Sequence, residues 1–120
     1  MRRGTIVADL EHPADLFKSG VSEQAYDLVV ITEVLEHLVV NPVELCRQLL
    51  KLLKPGGFIY LTTPNFYSHQ NLQLLQQGRN PTAFYPESDG NWDAHYHHRE
   101  YSAKELLDII EQANGELLGG

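Results

Sequence analysis

Apolar positions along this chain come in short runs separated by polar turns. The most continuous run is Tyr26–Thr32 (YDLVVIT), with four branched apolar residues in succession. Such a run suits a strand buried on both faces, as a parallel sheet requires. Thr5–Leu10 (TIVADL) predicts a shorter strand, followed by a turn-like His-Pro-Ala-Asp and a weak helical stretch through Phe17. Asn41-Pro42 supplies an N-cap and a proline at the first helical position. Val43, Cys46, Leu50 and Leu53 follow at helical spacing, and Leu45, Leu49 and Leu52 widen the apolar face. Lys54-Pro55-Gly56-Gly57 ends this helix, and Phe58–Thr63 (FIYLTT) reads as the next strand.

Strand, helix and strand over residues 27–63 make a βαβ unit, whose right-handed crossover leaves the two strands parallel. The expected fold class is α/β, with Leu28, Val30, Leu49, Leu53, Ile59 and Leu61 buried at its centre. Residues 64–101 read as a substrate-side loop or lid. They hold one helix near Ser68–Gln77 and then a polar run, GRNPTAFYPESDGNWDAHYHHR, of a length typical of lids and binding segments. A terminal helix over residues 102–113 opens on a Ser102–Glu105 capping box and carries Leu106, Ile109, Ile110 and Ala113 at core spacing. Asn114-Gly115 ends it.

Charge narrows the functions available. Nine basic against sixteen acidic side chains give a net charge of −7, which disfavours a nucleic-acid partner held by counterion release. One cysteine permits no internal disulfide, so a reducing compartment is expected, with Cys46 in the core. The basic tip of MRRGTIVADLEH meets acids before any apolar stretch of signal-peptide length, and no run approaches the roughly 18 apolar residues of a membrane span. The reading is a soluble, cytoplasmic chain with no membrane partner.

Ligands of open parallel sheets bind beyond the carboxyl ends of the strands. That rule selects Asp9-Leu10, Thr32-Glu33 and the Thr63-Pro64-Asn65 turn with its long loop. Glu33, Glu36 and His37 form an E-x-x-E-H group which, if helical, lies on one side and offers two carboxylates and an imidazole to a divalent metal. Its structural alternative is a solvated helix face. His95, His97, His98 and Arg99 form a second cluster, able to supply a general base or a ligand, or simply an exposed histidine-rich loop. Asp9 reads as a turn cap or as an acceptor for the amino group of a bound base. Trp92, Tyr96 and Tyr101 either stack on a planar ligand or pin the loop.

Taken in order, ADLEH, YDLVVITEVLEHL, ELCRQLLKLLKPGGFIYLTTPN and HHREYSAKELLDIIEQANG resemble the class I S-adenosylmethionine-dependent methyltransferases over nearly the whole chain. The resemblance implies an incomplete Rossmann-like parallel sheet with flanking helices. It also implies an adenine contact at Asp9 and Leu10, and a methionine-end lining from Thr32, Glu33 and Val34. Within that superfamily the E-x-x-E-H turn is similar to those of small-RNA 2′-O-methyltransferases and quinone-biosynthesis O-methyltransferases, in which the turn and a downstream histidine hold a metal. The matching ligands would be Glu33, Glu36 and His37 with His97 or His98, and the same two histidines are the candidate catalytic bases. GRNP and HxREYS resemble methyltransferases of bacterial cell-surface sugar synthesis, which implies a small-molecule or glycan acceptor.

The chain departs from the family at two places. None of its nine glycines forms a G-x-G-x-G motif, and the family's first two strands have no counterpart, so Thr5–Leu10 is left without a neighbour to pair with. The leading expectation is the carboxyl-terminal part of an O-methyltransferase whose activity requires an amino-terminal half. A non-catalytic or regulatory remnant and a metal-dependent hydrolase are the competing readings.

Overall fold

The computed structural model describes residues 4–82 and 97–120. Its centre is the expected βαβ unit. Strand β1 (Tyr26–Thr32) leads through a short 3₁₀ turn at Leu35–His37 into helix α1 (Pro42–Lys51), and strand β2 (Leu53–Thr62) returns parallel to β1. Helices α2 (His69–Gln76) and α3 (Ala103–Gln112) follow, and a 3₁₀ helix at Pro13–Ser19 precedes the unit. Parallel strands with flanking helices make this a partial Rossmann-like fold. Among the described residues, no helix is long and apolar enough to cross a membrane.

Helix boundaries follow local chemistry. The Asn41 side chain accepts from the Val43 and Glu44 amides, which would otherwise lack intrahelical partners at the start of α1. At the other end, the carbonyls of Lys51 and Leu52 accept from the amides of Gln24, Ala25 and Tyr26, so the chain entering β1 closes α1. Ser102 and Glu105 form the reciprocal capping box of α3. The Ser102 amide, and then the Arg99 guanidinium, hold the Glu105 carboxyl below the ordinary glutamate range. Asn114 takes a φ of 63° just past α3, and the Gly115 amide returns to the Ile110 carbonyl.

Three expectations need correction. Thr5–Leu10 forms no strand: residues 4–9 are exposed, with Val7 90% accessible, because no described strand offers this segment a ladder. The second strand begins at Leu53, before the Lys-Pro-Gly-Gly turn, since Leu53 already pairs with Tyr26 while Phe58 pairs with Leu28. Lys54–Gly57 is therefore a bulge within β2. Gly56 there has a φ of 84°, and a Cβ on Gly57 would lie 3.0 Å from the Asp27 carbonyl oxygen.

The third correction concerns burial. Ile31 is buried and Val29, Ile59 and Leu61 are packed against the core, but Leu28, Val30, Phe58 and Tyr60, on the alternate face, are all more than half exposed. The helical layer covers one face of the two-stranded sheet. Leu16, Leu35, Leu45, Leu49, Leu52 and Tyr101 complete the core on that side. Leu45, Gln48 and Leu49 are the most buried stripe of α1, continued by Leu52 just past its end, while Val43 and Leu50 flank it half-buried, as does Cys46, which was expected in the core.

The two faces should respond differently to truncation. Leu49→Ala should cost about 2–5 kcal/mol in urea unfolding, whereas Val30→Ala should cost less than about 1 kcal/mol. Equal losses would mean that the covered and open faces have been assigned wrongly.

Candidate functional site

The carboxyl ends of β1 and β2 bring the candidate residues to one place. Thr32 pairs with Thr62, and the Glu33 amide donates to the Thr62 carbonyl at 2.9 Å, so Glu33 still belongs to the sheet end. Its φ of 55° lies in the left-handed region, which a residue with a Cβ adopts at a cost of about 1–2 kcal/mol. The helical turn starts only afterwards, at Leu35. Glu33, Glu36 and His37 therefore do not share one helix face, and Glu33 stays exposed while Glu36 turns inward.

Glu36 is the most enclosed polar side chain among the described residues, with no accessible surface. One carboxylate oxygen, Oε2, accepts from the Thr63 hydroxyl at 2.8 Å. The other, Oε1, has no hydrogen-bond partner and lies 3.7 Å from His37 Nε2. His97 completes the cluster: its ring meets that of His37 edge to face, with centroids 4.9 Å apart. Ligand atoms of Glu36, His37 and His97 all lie within 4.8 Å of one another. A buried carboxylate oxygen left unsatisfied is costly unless something electropositive meets it. One carboxylate and two imidazoles form a donor set suited to a borderline divalent ion such as Zn²⁺, Fe²⁺ or Co²⁺. The residues present thus fit a divalent cation.

Backbone contacts hold the two halves of the cluster together. The Arg99 amide donates to the Glu36 carbonyl at 3.1 Å, and the Phe66 amide donates to the Tyr101 carbonyl at 3.0 Å beside a bridge between Asn65 and Tyr101. Tyr101 is buried and lies beneath the Arg99 guanidinium, which also pairs with Glu105. Its role is to pin the segment. Burial pushes the Tyr101 phenol above its ordinary range. Trp92, His95 and Tyr96 lie outside the described residues.

His98 points elsewhere. It lines a cleft of about 370 Å³ with Leu38, Val40, Pro42, Arg99 and Ile109, none of them a member of the Glu36–His37–His97 cluster. Asp9 closes its own turn, accepting from the Glu11 amide and meeting His12 Nδ1, both at 2.9 Å. The Glu11 amide, followed by the His12 ring, lowers the Asp9 pKa, and the same carboxylate raises that of His12. Leu10 packs against the core, and Glu11 accepts from the Val39 amide, tying the Asp9 turn to the loop after His37. Thr32 and Val34 flank Glu33 at the strand end, the first exposed and the second half-buried.

A family model described as a methyltransferase domain matches residues 3–118. The chain belongs to that methyltransferase family. Two ubiquinone biosynthesis O-methyltransferases, from Vibrio vulnificus strains YJ016 and CMCP6, are each 30% identical to it over 91 residues, covering 76% of this chain. The chain spans 36% of the length of these curated relatives. No solved structure matches it.

Sequence reasoning missed Thr63 as a partner of Glu36, although it directly follows the strand whose end was singled out. It also missed Glu100, which meets His97 (Nδ1 to Oε1, 2.9 Å), and Asn71, which donates to Glu100 (Nδ2 to Oε2, 2.8 Å). The spacing of His97 and Glu100 was the available signal. Thr63→Val keeps the shape of this methyltransferase chain but removes the one hydrogen bond to Glu36 Oε2. It should destabilise by about 1–3 kcal/mol in chemical unfolding. An unchanged midpoint would show that Glu36 is not enclosed as described.

Proposed function

We propose that this chain contributes to an S-adenosylmethionine-dependent O-methyltransferase acting on a small-molecule or glycan hydroxyl, with a divalent cation held by Glu36, His37 and His97. The observation that carries the reading is the convergence of these three side chains at the carboxyl end of a parallel sheet, in a chain of methyltransferase family. Similarity to proteins named as ubiquinone biosynthesis O-methyltransferases supports oxygen as the methylated atom. The acidic balance favours a small or glycan acceptor over nucleic acid.

In this reading Thr63 holds one oxygen of Glu36 so that the other stays aimed at the imidazoles. Thr32, Glu33 and Val34 line the sheet end where the methionine portion of the cofactor would lie, and Asp9 with Leu10 would meet its adenine. S-adenosylmethionine supplies a methyl group on a sulfonium, and a divalent cation makes an acceptor hydroxyl easier to deprotonate. Transfer moves the methyl from sulfur to oxygen, leaves a thioether, and releases the hydroxyl proton. That proton leaves to solvent, His97 serves as a ligand, and His98, which lines the separate cleft beside Leu38 and Ile109, takes no part in the transfer. Positioning of acceptor and methyl in line supplies most of the acceleration.

Calorimetric titration of the 120-residue chain with Co²⁺ should give one site, and Glu36→Gln should weaken it at least tenfold. No heat of binding from Co²⁺, Mn²⁺ or Zn²⁺ would sink the cation assignment.

A parallel titration with S-adenosylmethionine should show weak binding or none, because the chain offers Asp9 and the Thr32 region without a glycine-rich loop. Low-micromolar affinity would mean that the cofactor is gripped by residues not assigned to it.

A further inference from the structure

Glu100 and Asn71 stand behind the candidate centre. Asn71, in the first turn of α2, is buried, and its Nδ2 donates at 2.8 Å to both the Phe66 carbonyl and Glu100 Oε2. Both partners only accept, so the nitrogen end of the amide must face them. Glu100 then uses its second oxygen, Oε1, on His97 Nδ1 at 2.9 Å. An ionised carboxylate offers no proton, so the neutral imidazole carries its hydrogen on Nδ1 and keeps a lone pair on Nε2. Glu100 thus has one partner on each oxygen and lies outside the group formed by Glu36, His37 and His97.

We propose that Glu100, oriented by Asn71, is a positioning residue that fixes the tautomer and ring orientation of His97 and so presents Nε2 to the Glu36–His37 cluster. The inference rests on the reading of that cluster as a cation site. Carboxylates behind ligating histidines set both the tautomer and the basicity of the ring, and their loss commonly weakens metal affinity by about 10–100-fold. The arrangement is sheltered: the side chains of His97 and Glu100 are 32% and 18% exposed. It is also anchored in the fold, since Asn71 draws on the Phe66 carbonyl while the Phe66 amide holds Tyr101, the residue next to Glu100.

The test uses the chain labelled with ¹⁵N-histidine, free of metal, at a pH of about 8. Long-range proton–nitrogen correlation should show the His97 hydrogen on Nδ1. Glu100→Gln preserves volume but places an amide N–H against either Asn71 Nδ2 or His97 Nδ1, which breaks the relay. In that variant His97 should populate both tautomers, and calorimetry with Co²⁺ should show affinity about 10–100-fold lower. A parent His97 protonated on Nε2, or a Glu100→Gln variant with unchanged tautomers, overturns the inference whether or not Co²⁺ binds. The expected tautomers in a chain that binds no Co²⁺ would retire the cation site and leave the positioning of His97 by Glu100 standing.

Discussion

The parallel ladder between β1 and β2 ends at Thr32 and Thr62, and every part of the candidate centre is placed from that end. The Glu33 amide takes the Thr62 carbonyl as the last rung. One residue past the end of β2, Thr63 reaches Glu36. A slip of one residue in this register would turn Thr63 to the opposite face and deprive the Glu36 carboxylate of its donor. The ladder is thus both the mechanical centre of the fold and the reference from which the chemistry is measured.

Enclosing Glu36 is the expense the structure bears for this arrangement. Hydrophobic burial of Leu35, Leu45, Leu49 and Leu52 around the same layer supplies the opposing stabilisation, since each fully buried leucine contributes about 1.5–3 kcal/mol. The positive φ at Glu33 adds local strain beside it. Strain and an unsatisfied polar atom within four residues of each other are features that a purely structural turn gains nothing from keeping, and sites that bind are where they gather.

Elements with short-range signals were readable from the residues alone. Asn41-Pro42 marked the start of α1, Ser102 and Glu105 marked α3, and the apolar run at Leu28–Ile31 marked β1. Features set by distant parts of the chain were not. The apolar run Leu28–Ile31 carries no alternation to say which face a helix covers, so Leu28 and Val30 read as core although one layer leaves them open. The E-x-x-E-H spacing implies a shared face only if the turn is helical, and nothing in the residue type announces a positive φ at Glu33. Asn71 and Glu100 are 29 positions apart, and their pairing depends on where α2 comes to rest. Family resemblance pointed to this turn and this loop, and the structure brings His97 rather than His98 beside Glu36 and His37.

The hydrogen bond from the Arg99 amide to the Glu36 carbonyl has a consequence for the order in which the molecule comes apart. It joins positions with α1, β2 and α2 between them, and closing so long a loop carries an entropic cost that grows with the logarithm of its length. The β1–β2 ladder does not pass through that joint. Tyr101, buried in the same core as Leu35 and Leu49, is the second anchor of that segment, so His97 leaves Glu36 only when both the Arg99–Glu36 bond and the Tyr101 packing give way. The two halves of the centre come from distant stretches of the chain, so any ion or ligand that bridges them would act as a further cross-link across that loop.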